Sequence, residues 1–213
     1  MKRFLCILLS LILSSVLLTA CGRKIPTADE IDMSPVDIAT ATVTEEETDY
    51  VIISVEKYGD MLVRLYPDVA PETVKNFKRL VSERFYDGSS FHRVIKNFMI
   101  QGGAPGGDQT KEGCDPIKGE FTSNEFENNL DHYRGVLSMA RTSLPDSATC
   151  QFFIVHTTEG AKHLNGQYAT FGYVVDGIEV VDAIASVPVW SNTNLPRNET
   201  VRITSIRFAT VGE

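Results

Sequence analysis

Apolar residues recur along most of this chain, and the interval between them changes from one stretch to the next. Val51, Ile53 and Val55 alternate with Ile52, Ser54 and Glu56, and Gly59-Asp60 then turns the chain into Met61–Tyr66. A two-residue period on both sides of a turn predicts a hairpin. Pro71 follows at a position where its missing N–H costs a helix nothing, with Glu72 in the first turn. Val74, Phe77, Val81 and Phe85 come next at helical spacing, so one helix face packs inward. Short apolar runs over 91–95, 98–101, 136–140, 152–156 and 170–175 predict strands. A second helix over 178–186 turns Val181 and Ile184 inward, and 201–210 alternates again. Many short strands, two helices and long Gly-rich loops predict a mainly β domain closed into an antiparallel barrel.

The first 49 residues break this pattern. Lys2 and Arg3 precede an apolar run from Phe4 to Leu18. The run is short for a spanning helix of about 20 residues and suits the core of a secretory signal. It ends in Leu18-Thr19-Ala20-Cys21-Gly22, which resembles a bacterial lipobox. That resemblance implies a signal peptide over 1–20 and a diacylated Cys21 as the mature N-terminus. Two acyl chains suffice for stable anchoring where one is marginal. The alternatives are a plain secretory signal or an anchoring helix. From 22 to 49 there is no hydrophobic periodicity, and the stretch holds eight acids with Arg23 and Lys24 as its only bases. Such a composition predicts a lipidated Cys and a flexible acidic tether over 21–49, reaching about 30 Å as a coil. The folded domain then spans 50–213, and the expected location is extracytoplasmic, lipid-anchored to the cell membrane.

Charge narrows the partners. The chain of 213 residues carries a net charge of −8, which argues against nucleic acid and against peripheral docking on anionic lipid. Most of the mature chain's charge falls in the tether. Of four cysteines, Cys6 leaves with the signal and Cys21 takes the lipid, leaving Cys114 and Cys150. In an exported protein that pair is either a disulfide or two separate small residues. Zinc is not suggested, since His92, His132, His156 and His163 show no ligand spacing. Gly102, Gly103, Gly106 and Gly107 lack the Lys-Ser/Thr of a phosphate loop. Ser138 sits in no nucleophile elbow.

One run stands out. Phe91-His92-Arg93-Val94-Ile95-Lys96-Asn97-Phe98-Met99-Ile100-Gln101-Gly102-Gly103 closely resembles the signature of cyclophilin-type peptidyl-prolyl isomerases. Gly135–Arg141, Gln151–Ile154, His163–Gly172 and the helix start Ala70–Phe77 are similar to further blocks of that family, in order and in spacing. The resemblance covers about 51–208. It implies an eight-stranded closed barrel capped by two α-helices, with a proline-binding groove on its outer face.

The chemistry of these residues agrees. Rotation about an Xaa-Pro bond faces a barrier of about 18–20 kcal/mol from amide resonance, and no bond need break. The reaction requires a slot for the pyrrolidine ring and a donor that favours the twisted amide. Phe98, Met99, Phe153 and Leu164 can supply the slot. Arg93 can supply the donor to the prolyl carbonyl and to the nitrogen as it loses conjugation. The resemblance further implies that Gln101 holds Arg93 and that Gln151, with the backbone of Ala140 and Arg141, fixes the peptide. His163 stands where many members carry Trp, which predicts weak cyclosporin binding. Tyr168 stands where the family often has His, Arg141 replaces a commoner Asn, and Lys96 a usual Pro. The loop 111–116, with Cys114, also departs from the family and is expected to border the groove beside Cys150. A disulfide there would set groove width. No cofactor is implied. The expected protein is a monomeric folding catalyst acting on proline-containing polypeptides and touching the membrane through Cys21. The alternative is a proline-peptide receptor or chaperone module without turnover.

Overall fold

The alternation over 50–66 does form the hairpin, β2 (Tyr50–Val55) and β3 (Gly59–Leu65), in a computed structural model describing residues 24–105 and 114–212. The signal segment and Cys21 lie outside the described residues. Before the hairpin comes β1 (Ala41–Thr44), and after it α1 (Pro71–Ser82), β4 (Phe91–Ile95), β5 (Met99–Gly102), β6 (Val136–Met139) and β7 (Phe152–Val155). The chain continues through α2 (Thr158–Ala161), β8 (Thr170–Asp176), α3 (Ile178–Ala185) and β9 (Ile203–Val211). One antiparallel sheet results, in the order β1-β9-β2-β3-β8-β6-β7-β5-β4. The core lies between its inner face and the two longer helices. Phe77 of α1 sits there with its ring 5.2 Å from Phe171 and 5.6 Å from Phe152. Val181 and Ile184 of α3 are fully buried, as their spacing predicts.

The expected eight-stranded closed barrel does not form. Among the described residues the sheet has nine strands and is open, with β1 and β4 as its edges. Closure needs β4 to pair with the outer edge of β9. The far end of that edge carries β1, from Ala41 opposite Val211 to Thr44 opposite Phe208. Just before β4, Ser90 bridges to Arg202, and the Gly88 N–H donates to the Ile203 carbonyl at 3.0 Å. The Ile203 N–H donates to the Ser89 carbonyl at 2.9 Å and the Phe91 N–H to the Val201 carbonyl at 2.9 Å, and this contact does not continue along β4. The loop that precedes β9 covers part of the remaining edge, where the Val94 N–H donates to the Asn194 carbonyl at 2.9 Å. Edges blunted in this way do not template pairing with other chains. The extra helix, α2, is a single turn and too short for any periodicity to show.

The acidic segment before Tyr50 also differs from expectation. From residue 24 onward it is strapped along the domain rather than free of it. Ile31 is 8% exposed and packs with Tyr66, Val69, Leu130 and Leu164. The Asp32 carbonyl accepts from Arg64 Nη1 at 2.9 Å and from the Tyr66 hydroxyl at 2.7 Å, and the Asp32 carboxylate pairs with Arg64. Val36 and Ile38 cover Leu62 and Val175 on the outer face of the sheet. The chain then joins the sheet as β1. No period appears in the sequence because an extended strap meets its partners at irregular intervals. Ile31→Asp is expected to lower the unfolding free energy by about 2 kcal/mol and to open residues 24–44 to protease. Urea titration with limited proteolysis checks this; unchanged stability and unchanged cleavage would mean that the strap contributes nothing.

Candidate functional site

Four strands bring the predicted site residues into one row. The ladder sets Arg93 of β4 opposite Gln101 of β5, Gln101 opposite Phe153 of β7, and Phe153 opposite Ser138 of β6. Cross-strand partners share a face of the sheet. Met99, two residues from Gln101, shares it too. Arg93 Nη1 donates to Gln101 Oε1 at 3.1 Å, and Gln101 Nε2 donates to Gln151 Oε1 at 3.0 Å. This relay aims the guanidinium over a cavity of about 110 Å³. Phe98, Met99, Phe153, Leu164 and Tyr168 form its apolar and aromatic walls, and Ala140 and Arg141 its far rim. Phe153 is locked edge-on to Tyr168, with centroids 6.0 Å apart.

Burial holds the Arg93 pKa below its ordinary value, yet the group remains a cation at neutral pH. Among the described residues neither Arg93 nor Arg141 has a carboxylate partner, unlike Arg64, Arg134 and Arg207. An uncompensated cation beside an apolar slot is the arrangement that amide twisting requires.

The sequence model of the family described as cyclophilin type peptidyl-prolyl cis-trans isomerase/CLD matches residues 50–208. This chain belongs to that family. A peptidyl-prolyl cis-trans isomerase of Acinetobacter baylyi is 43% identical over 163 residues, covering 72% of this chain and 82% of that protein. Isomerase B of Escherichia coli is 46% identical over 140 residues, covering 61% and 80%. A Cryptosporidium parvum cyclophilin, crystallised in the presence of the dipeptide Ala-Pro, superposes with a TM-score of 0.65 at 30% identity. That match covers 77% of this chain and 99% of the other. The protein is thus a cyclophilin-type isomerase.

Two residues expected in the cyclophilin groove stand beside the main cavity. Gln151 lines a neighbouring cavity of about 160 Å³ and is linked to Arg93 through Gln101. His163 is exposed, its ring 5.4 Å from Phe98, so it buttresses that wall from outside. At Ala140 the backbone N–H is already given to the Gln151 carbonyl at 2.9 Å, inside the sheet. Cys114 and Cys150 are free thiols; neither lines these cavities. Burial first, and the neighbouring Cys150 next, push the Cys114 thiol up to about 12. Neither cysteine thus borders these cavities, and residues 111–113 of the loop expected there lie outside the described residues. Both cysteines pack at the core behind the groove.

Reading the sequence missed the residues that support the site. The turn between β4 and β5 presents Phe98, with Asn97 at φ +62°. His156 Nδ1 accepts the Asn97 N–H at 2.9 Å, and the Thr157 hydroxyl donates to the Asn97 carbonyl at 2.6 Å. Gly160 lets α2 approach: a Cβ there would lie 1.9 Å from that carbonyl. On the other side His156 Nε2 faces Asp182 Oδ1 at 3.2 Å, and Arg134 grips both carboxylate oxygens of Asp182 at 2.7 Å. The hydrogen bond from Arg134, foremost, holds the Asp182 carboxyl below the usual range.

Beneath Phe153 lies His132, stacked on it at 5.8 Å with planes 8° apart. Asn165 Oδ1 accepts the His132 backbone N–H at 2.8 Å and faces Nδ1 at 3.1 Å. That oxygen is an acceptor, so Nδ1 carries the proton of the neutral ring and Nε2 faces the Ser138 hydroxyl at 3.1 Å. Burial, partly countered by Asn165, pushes the His132 pKa down to about 4. Such residues carry no motif; only the fold shows that they meet.

Proposed function

We propose that this isomerase is an extracytoplasmic folding catalyst, tethered to the cell membrane by a diacylated Cys21, that rotates Xaa-Pro bonds in exported polypeptides. The observation that carries the catalytic part is the Arg93–Gln101–Gln151 relay beside the apolar cavity. A prolyl ring held by Phe98, Met99, Phe153 and Leu164 leaves its amide under the Arg93 guanidinium. As the bond twists, its nitrogen loses conjugation and becomes a better acceptor, so the Arg93 donor is stronger in the transition state than before it. The walls fix the ring while the preceding residue turns. No covalent bond is made or broken.

The lipobox-like Leu18–Gly22 supports the anchored part. The strap adds a consequence. Asn129 Nδ2 holds the Pro26 carbonyl at 3.0 Å, so only residues 22–25 separate a lipid on Cys21 from the docked chain. The five steps from Cys21 to Pro26 span at most about 18 Å, against the longer reach of a free tether. The catalyst then works close to the membrane, where exported chains emerge.

The test uses the full chain in bacterial cells fed labelled palmitate. Label on the protein and its recovery with membranes are expected, both lost in Cys21→Ser, while the released domain still speeds a proline-limited refolding phase. Membrane recovery unchanged in Cys21→Ser would overturn the anchor. Failure to speed refolding would overturn the role as folding catalyst.

A further inference from the structure

The main cavity has a neighbour, and one cation is common to both. Gln101, Ala140 and Arg141 line the cavity of about 110 Å³ and the adjoining one of about 160 Å³ alike. The rest of the second cavity is Thr142, Ser147, Thr149 and Gln151, all polar and uncharged. Arg141 is therefore the sole ionisable side chain among the described residues that line it.

That guanidinium is held in place. Its Nε and Nη2 donate to the Gln167 carbonyl at 3.1 and 2.8 Å, and Nη1 donates to the Thr142 carbonyl at 2.9 Å. The planar group lies 4.4 Å from the Tyr168 ring centroid and 5.0 Å from that of Phe121. Carbonyls and ring faces orient a cation without cancelling its charge. Arg134 and Arg207, by contrast, each pair with a carboxylate. Because the two cavities share Gln101, Ala140 and Arg141, a peptide whose proline occupied the first would bring a flanking residue beside the second. There a carboxylate meets a fixed cation and neutral donors, whereas an ammonium meets like charge.

We propose that Arg141 makes this isomerase selective for polypeptides with an acidic side chain flanking the proline, received in the second cavity. The proposal rests on the groove being the isomerase site, and the test separates the two. Peptides carry Glu, Lys or Ala at each of the two positions on either side of one proline. Their cis/trans exchange is followed by NMR with the strap-containing domain. At one flanking position, kcat/KM for Glu should exceed that for Lys by about five-fold at low salt, and the ratio should shrink as ionic strength rises. Arg141→Gln should bring the ratio near one, and Arg141→Glu should invert it. Because ratios are read within each variant, a general loss of rate does not obscure the result. Equal rates for Glu and Lys in the wild type, or a ratio unmoved by Arg141→Glu, overturn the proposal. A wild-type domain that leaves even the Ala peptide unaccelerated overturns the isomerase reading, and this one with it.

Discussion

Arg93→Ala is expected to lower kcat/KM for an Ala-Pro peptide by about 100- to 1,000-fold, with the unfolding transition left in place. The magnitude is that of one preorganised donor removed from a developing charge. Arg93 is half-buried on the edge strand β4 and makes a single side-chain hydrogen bond, to Gln101 at 3.1 Å. Truncation therefore opens no core cavity and leaves no buried charge. Arg93→Lys should recover little of the loss. An ammonium keeps the charge but lacks the planar fork that reaches carbonyl and nitrogen together. NMR exchange spectroscopy gives the rate, and a peptide titration gives the affinity. The expected pattern is collapsed turnover with peptide binding largely kept, since Phe98, Met99 and Phe153 still hold the ring. A variant within ten-fold of the wild type would show that the apolar slot, not the guanidinium, lowers the barrier.

Acid should weaken the domain through His132. In the unfolded chain this imidazole takes up a proton as the pH falls through its ordinary 6.5, whereas in the folded domain it does so only near 4. Between those values the unfolded state binds more protons, so stability is complete above about pH 6.5 and drains away towards pH 4. The difference corresponds to about 3 kcal/mol. Burial also holds His92 and His156 below their ordinary values, so they push in the same direction. Urea midpoints at pH 7 and pH 4 should thus separate strongly for the wild type. His132→Gln should narrow that gap while losing stability at pH 7, where the Asn165 and Ser138 contacts are disturbed. A gap of the same size in His132→Gln would assign the acid sensitivity to other groups.

Both predictions draw on the same sheet, and the sequence reaches them unequally. Arg93, Phe98, Met99 and Gln101 are legible because they sit within one continuous run whose order is family-specific. His132 is not, because its partners Asn165, Ser138 and Phe153 come from separate stretches, and a lone histidine carries no spacing signal. His156, Thr157 and Gly160, which hold the Phe98 turn, are invisible for the same reason.

Local order, then, was settled by the sequence alone. Alternation fixed the strands of the hairpin, helical spacing set the buried faces of α1 and α3, and contiguous motifs pointed to the residues that line the main cavity. These depend on neighbours along the chain, whose side chains repeat with the period of the backbone. The tertiary structure decided what depends on neighbours across space. It left the sheet open, with β1 added at one edge and only a short contact between 88–91 and 201–203 at the other. It laid the acidic segment along the domain, because scattered residues such as Ile31, Val36 and Ile38 find apolar positions on distant strands. It clamped Arg141 between Tyr168 and Phe121 with its charge uncancelled. A composition count reads such a segment as a tether, and the family resemblance gives such an arginine a role through its backbone alone. Only the fold brings their partners within contact distance, where burial and hydrogen bonding act.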